Sequence, residues 1–204
     1  MLELARSHGY LGPGPLSTQL RHARGFARAV RQMDLPTPRH AADLGAGGGL
    51  PGLVLAFAWP ETVWWFVEAN ARRAGFLRDA VRTARLDDRV EVLDDRAEVL
   101  GHSDRYRGRC DLVVARSFAP PAVTAECAAG LLVQGGALIV SDPPAGTSQS
   151  NPETRWPPAG LAPLGLRLRS VVSSPERFAV LVQERPCPDR FPRRVGVPGK
   201  RPLF

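Results

Sequence analysis

One decapeptide constrains this chain more than any other stretch: Asp43-Leu44-Gly45-Ala46-Gly47-Gly48-Gly49-Leu50-Pro51-Gly52. An apolar run carrying an acid, Ala41-Ala42-Asp43-Leu44, leads into it, and an apolar helical pattern, Leu53 to Ala58, leads out. Strand, glycine turn and helix in that order form the first βα unit of a nucleotide-binding α/β domain. Glycine lets the backbone turn sharply and approach a ligand with no Cβ in between. The helix start behind the turn offers free N–H groups and a positive dipole end to an anionic group.

The rest of the chain agrees with that unit. Strands are expected at His40–Leu44, Val63–Val67, Val90–Leu93, Cys110–Ala115 and Ala137–Val140; the second is continuously apolar instead of alternating, as in a central parallel strand buried on both faces. Helical spacing separates them, as in Phe76, Leu77, Ala80, Val81 and Ala84 of a helix from about Ala71 to Arg85, which Asn70 is placed to cap. Two late strands, near Leu166–Val172 and Phe178–Gln183, can pair antiparallel. The expected fold is α/β: a doubly wound, mostly parallel, seven-stranded sheet with a short N-terminal helical extension. The extension covers residues 1–38, with a helix from a Ser17 cap to about Met33. Residues 39–184 form the main domain, and residues 143–165 within it, rich in Pro, Gly and Ser, read as a loop. Residues 185–204 form a basic, proline-rich tail, extended along the domain or partly loose.

Composition narrows the function classes. Net charge is +7, but of the 27 basic residues one, Lys200, is lysine, so the charge reflects arginine usage as much as a polyanionic partner. Arg21, Arg24, Arg28 and Arg31 line one side of the first long helix, as a solvated face or an RNA surface. Cys110, Cys127 and Cys187 are far apart, and the four histidines show no metal spacing, so reduced thiols and no metal site are expected. Residues 1–9 carry no apolar core of a signal peptide, and no uncharged apolar run reaches 18 residues, so a cytoplasmic protein without a membrane span is expected.

Chemistry concentrates at the strand ends. A dinucleotide turn reads GxGxxG, whereas here Leu50 stands at the sixth position and Asp43 lies two residues before the first glycine. Glu68 ends the second strand, 25 residues after Asp43, where a carboxylate can accept both hydroxyls of a ribose; the alternative is a surface acid. This arrangement resembles the first motif of class I methyltransferases, and the turn is read as holding S-adenosylmethionine. The cofactor-binding residues expected on that basis are Asp43, Gly45, Ala46, Gly47, Gly49, Leu50, Glu68 and Ala69. Arg96, Ala97 and Glu98 join them on the adenine side, or else cap a short helix. Arg116 completes the set, holding a methionyl carboxylate or a substrate phosphate, or serving as a buried structural arginine. No catalytic acid–base pair stands out.

The chain further resembles the small-subunit ribosomal RNA methyltransferase G family, also called glucose-inhibited division protein B. The resemblance rests on Asp43–Gly52 (DLGAGGGLPG), Arg72–Leu77 (RRAGFL), Arg96–Glu98 (RAE), Ala115–Ala119 (ARSFA) and Phe191–Leu203 (FPRRVGVPGKRPL), and spans about residues 39–142 and the tail. It implies an S-adenosylmethionine-dependent methyltransferase acting on N7 of a guanine in 16S ribosomal RNA, with RNA as partner. Two features differ from the family. Residues 1–38 lack its WN-x-x-x-NLT and His-x-x-Asp-Ser stretches, and the Lys-Gly pair after the fifth strand is replaced by Ser141-Asp142-Pro143-Pro144. An acid thus stands where the family presents a base to RNA. The Asp-Pro-Pro run also resembles the motif of amino-methyltransferases, although Ala145 follows it instead of an aromatic residue. The residues alone leave open a methyltransferase with a small-molecule substrate and a non-catalytic nucleotide-binding module.

Overall fold

The computed structural model describes residues 1–147, 151–173 and 175–204. Its elements run α1 (Leu2–Ser7), α2 (Leu16–Gln32), β1 (His40–Leu44), α3 (Gly52–Ala58), β2 (Val63–Val67), α4 (Ala71–Thr83), β3 (Val90–Leu93), α5 (Ala97–Leu100), β4 (Cys110–Ala115) and α6 (Pro121–Ala129). Then follow β5 (Leu132–Asp142), α7 (Pro152–Arg155), α8 (Pro158–Leu161), a 3₁₀ turn (Ala162–Leu164), β6 (Leu166–Ser173), β7 (Arg177–Gln183) and α9 (Val197–Lys200). The strands form one seven-stranded sheet in the order β3-β2-β1-β4-β5-β7-β6. β1 to β5 are parallel, and the β6–β7 hairpin adds to β5 antiparallel. This is the fold that the alternation of strand and helix patterns predicts.

Strand alternation sends neighbouring side chains to opposite faces, so each apolar run feeds two cores. Ala42, Leu44, Trp65, Val67, Val113, Ala115, Leu138 and Val140 face the layer of α5, α6 and α8. Ala41, Trp64, Phe66, Leu112, Val114 and Ile139 face α2, α3 and α4. Burial on both faces explains why these strands show no polar–apolar alternation. In the second core Phe26 of α2 meets Phe178 of β7 edge to face at 4.7 Å. Both rings are fully buried, and each such burial contributes about 1.5–3 kcal/mol.

Three local expectations need correction. Ser17 does not cap α2: the cap position is Pro15, two residues earlier, and the helix begins at Leu16 with no side-chain cap. Leu2–Ser7 forms a helix that the punctuation at Gly12–Pro15 conceals. The stretch 143–165 is not simply a loop. Residues 148–150 lie outside the described residues, but α7, α8 and the 3₁₀ turn follow them, and Trp156, Leu161 and Leu164 are fully buried in the first core. Asn70 does cap α4, its Oδ1 accepting from the Arg72 and Arg73 N–H groups.

The tail is laid against the domain and held there. Phe191 is buried in the first core. The Arg193 guanidinium grips the fully buried Glu126 carboxylate of α6, with Nε to Oε1 at 2.9 Å and Nη2 to Oε2 at 2.6 Å, and the Arg193 backbone N–H adds a bond at 2.7 Å. A two-pronged pair of this kind compensates the desolvation of the buried carboxylate. Arg107 donates to the carbonyls of Gly101, Phe191 and Cys187.

Candidate active site

At the carboxyl edge of the sheet, where α/β folds place their ligands, lies a cleft of about 310 Å³. Gly45 sits on its floor. The end of β2 (Val67, Glu68, Ala69) forms one side, and Asp95 to Glu98 after β3 forms the next. Ser117, Phe118 and Ala119 after β4 lie opposite, and two tail residues, Gly196 and Gly199, complete the enclosure.

The turn is stitched to the neighbouring strand. Gly45 and Ala46 both donate to the Val67 carbonyl, at 2.9 and 3.1 Å, and the Gly47 N–H donates to Glu68 Oε2 at 3.0 Å. Gly45 and Gly47 have φ of +68° and +53°, a backbone region that favours glycine. At Gly45 space also forbids a side chain, because a Cβ would fall 2.8 Å from the Phe118 ring. Glu68 is almost fully buried; its second oxygen accepts from the Asn70 N–H at 2.9 Å. Each carboxylate oxygen has a second lone pair and Glu68 lines the cleft, so the group is fixed and still able to accept.

Asp43 acts from behind the turn. It is fully buried, and its Oδ2 accepts the Gly52 N–H at 2.8 Å, closing the ten-residue turn on itself. Burial pushes its carboxyl up to about 7, against the opposing effects of the Gly52 hydrogen bond and the nearby Arg116 charge. Burial likewise lowers the Arg116 pKa, while Asp43 holds it up. Each thus favours the charged form of the other, and desolvation disfavours both. The Gly52 position has no room for a side chain: a Cβ would lie 2.6 Å from Phe66 Cε1 and 2.7 Å from Asp43 Oδ2.

Of the residues read from the sequence as cofactor-binding, Gly45, Glu68, Ala69, Arg96, Ala97 and Glu98 line the cleft. Ala46 and Gly47 belong to its floor loop, with Ala46 buried in the second core. Asp43, Gly49, Leu50 and Arg116 do not line it. Gly49 packs over Leu53, and Leu50 lines a separate apolar hollow with Leu2 and Leu20. Arg116 donates to Gln19 Oε1 of α2 at 3.2 Å, and Gln19 Nε2 in turn donates to the Gly12 carbonyl at 2.5 Å. That chain of bonds secures the N-terminal segment above the turn, where Leu11 and the Tyr10 carbonyl cover Gly48.

The sequence reading missed several groups. Ser117 lines the cleft at φ +53°, unusual for a side-chain-bearing residue and typical of constrained functional loops. Arg73 stands at the cleft with its guanidinium 5.9 Å from the Tyr10 ring centre. Gly196 and Gly199 reach it from the far end of the chain. The one signal for these two was the tail pattern at Phe191–Leu203, which carries no local hint of a cleft. Asp142 is corrected in the other direction. It presents no acid outward: its side chain is fully buried, accepting from Arg155 Nε at 2.8 Å and Trp156 Nε1 at 3.4 Å. It clamps α7, so the Asp-Pro-Pro run is a structural corner and not an amino-methyltransferase motif.

No group of three or more His, Cys, Asp or Glu side chains among the described residues could hold a metal ion. No helix among them is long and apolar enough to cross a membrane.

The strand order with an antiparallel β7 beside β5, and a glycine turn opening a cleft at the carboxyl ends of β1 to β4, define the class I methyltransferase fold. Solved structures share it. A putative O-methyltransferase from Klebsiella pneumoniae aligns with a TM-score of 0.61 at 17% identity, covering 89% of this chain and 86% of that one. The cofactor-bound Rv0187 from MTB aligns with a TM-score of 0.61 at 18% identity, covering 90% and 88%. At these identities the likeness is one of fold.

The sequence goes further: residues 21–141 match the profile of rRNA small subunit methyltransferase G, and the chain belongs to that family. The ribosomal RNA small subunit methyltransferase G of Rubrobacter xylanophilus is 32% identical over 199 residues, covering 93% of this chain and 74% of that protein. Its counterpart from Parasynechococcus marenigrum is 34% identical over 183 residues, covering 84% and 72%. The chain is therefore a methyltransferase, and the reading as a non-catalytic binding module is set aside.

Proposed function

We propose that the cleft binds S-adenosylmethionine and that the enzyme methylates a guanine N7 of 16S ribosomal RNA. The observation that carries the cofactor reading is Glu68: a nearly buried carboxylate at the end of β2, fixed by the Gly47 and Asn70 N–H groups, with acceptor capacity left toward the cleft. In this reading Glu68 takes the ribose hydroxyls, and Ala69 and Arg96 to Glu98 flank the adenine. Gly45, Ala46 and Gly47 form the floor under the methionyl part. Asp43, Gly49, Leu50 and Arg116 hold the turn in shape. Residues 39–184 supply the binding domain, and residues 1–38 and 185–204 close over it.

When bound, S-adenosylmethionine supplies a methyl group already activated on a sulfonium. The chain then has mainly to align donor and acceptor, and orientation supplies most of the acceleration. Guanine N7 attacks with a ring lone pair and carries no proton, so no general base is needed. Glu68 and Glu98, held by backbone N–H groups, serve in this reading as a ribose acceptor and a wall tie, and no proton transfer is asked of either. RNA phosphates would meet the exposed arginines at the cleft, Arg73 and Arg96, and the exposed Arg194 and Lys200 of the tail. The arginine row on α2 contributes less, because Arg21 and Arg28 already contact Glu176.

Two measurements test the reading. Titration calorimetry should show binding of S-adenosylmethionine and none of NAD; the reverse would overturn the cofactor assignment. Mass spectrometry of ribosomal RNA from cells with and without the gene should show loss of one 7-methylguanine from 16S RNA. An unchanged 16S pattern, with methyl transfer to low-mass products in extract, would overturn the RNA assignment.

A further inference from the structure

The tail that the sequence presents as an appendage forms part of the cleft wall. Gly196 and Gly199 line the cleft beside Asp95 to Glu98. Glu98, the one acid of that side that is buried, has its Oε1 bonded to the Gly196 N–H at 3.1 Å. Two residues on, Pro198 is buried. The short helix α9 is therefore moored to the wall of the cleft, and it has no independent core of its own.

The mooring runs through a second buried acid. Arg193, three residues before Gly196, meets the fully buried Glu126 of α6 through its backbone N–H and both prongs of its guanidinium. The next residue of α6, Cys127, lines the cleft. His102 Nε2 lies 2.5 Å from the Pro192 carbonyl, adding a third tie from the segment after α5. Every one of these ties joins the tail to α5, α6 or the turn after α5, and so to the elements behind the side of the cleft assigned to the adenine. A segment that is tied through these bonds and covers a ligand site has its docked state linked to occupancy of that site.

We propose that the C-terminal segment 193–200 is a clasp on the cofactor site. Its docking through Arg193–Glu126 and Gly196–Glu98 completes the adenine-side wall, and ligand binding and tail docking stabilise each other. Arg193 and Glu126 are thus positioning residues for cofactor binding, although neither lines the cleft. The proposal rests on the reading of the cleft as the S-adenosylmethionine site.

The test is hydrogen exchange of the full-length protein with and without S-adenosylmethionine, alongside calorimetry on the same sample. With cofactor at about 100 times its Kd, the amides of residues 196–201 should exchange up to about a hundredfold more slowly. Amides of β6 and β7 (Leu166–Ser173 and Arg177–Gln183) that exchange by local fraying at the far sheet edge should not change, whereas those that exchange through global unfolding are slowed by ligand wherever they lie. Arg193→Lys keeps a cation against Glu126 but loses the two-pronged grip. If it leaves about one tenth of the molecules docked, apparent cofactor affinity falls about tenfold, while exchange of the fraying hairpin amides stays at the wild-type rate. Arg193→Ala should weaken binding further, so Arg193→Lys acts as a partial rescue. Calorimetric binding with unchanged exchange in residues 196–201, or an Arg193→Lys variant of wild-type affinity, would overturn the clasp and leave the cofactor reading standing. Absence of any binding to the wild-type protein would overturn both.

Discussion

Glu68→Gln tests the site most sharply, because the substitution is nearly isosteric and its consequence can be worked out from two bonds. The carboxylate accepts the Gly47 N–H at 3.0 Å and the Asn70 N–H at 2.9 Å with different oxygens. An amide has one oxygen and one NH₂. In either orientation one of the two backbone N–H groups faces another donor. If the oxygen stays on Gly47, the floor of the cleft holds and the start of α4 loosens; in the opposite orientation the floor itself is released. A lost charge-assisted bond is worth about 1.5–3 kcal/mol. Part of that appears as stability, lowering Tm by about 2–4 °C per kcal/mol for a chain of this size. The ribose hydroxyls lose the same charged acceptor, which corresponds to roughly a ten- to hundredfold rise in Kd for S-adenosylmethionine. Calorimetric titration reads the affinity and differential scanning calorimetry reads the stability. A Glu68→Gln protein that binds the cofactor within about threefold of wild type would refute the assignment of Glu68 as the ribose acceptor.

Three further outcomes follow from the same geometry. Because burial raises the Asp43 carboxyl to about 7 from its ordinary 3.8, its contribution to stability is complete below the lower value and is lost as pH rises to the higher one. Between about pH 4 and 7 the wild type should lose stability relative to Asp43→Asn by up to ~1.4 kcal/mol per pH unit, and the difference should be flat above; urea unfolding at a series of pH values checks this, and a pH-independent difference would contradict it. Gly52→Ala places a Cβ 2.7 Å from Asp43 Oδ2, which should cost about 1–3 kcal/mol in thermal unfolding and weaken cofactor binding together; a stable variant that binds normally would show that the Asp43 brace is dispensable. Trp156→Ala should cost about 3–5 kcal/mol in denaturant unfolding, since the ring is fully buried in the first core; a surface-like loss below about 0.5 kcal/mol would restore the reading of this stretch as a loop.

Much of the molecule was legible before any coordinates. The strand β2 is a run of five apolar residues, and such a run stands out without knowledge of its neighbours. Asp43 and Glu68 were visible because both acids end strands that parallel pairing brings to the same sheet edge. Asn70 could be read as a cap, since a cap acts within three residues. The failures have an equally local cause. Helices of four residues, such as Pro152–Arg155 and Pro158–Leu161, contain barely one turn and show no period. Their proline-rich composition then reads as loop, and nothing nearby reveals that Trp156 between them is core. Ser17 suited a cap by type, but the chain turned into the helix at Pro15 instead.

The sequence by itself determined the order along the chain of the strands and the longer helices, the glycine turn, and the carboxylate behind it. All of these arise from periodicity and turn chemistry within a few residues, forces that any stretch carries with it. Tertiary structure alone decided which charged groups are spoken for. Glu98 is bonded to Gly196, Glu126 to Arg193, Asp142 to Arg155 and Arg116 to Gln19. Three of these four partnerships join residues 67 to 98 positions apart. A charge has no periodicity that names its partner; burial forces it to find one, and only the folded chain shows which partner is within reach.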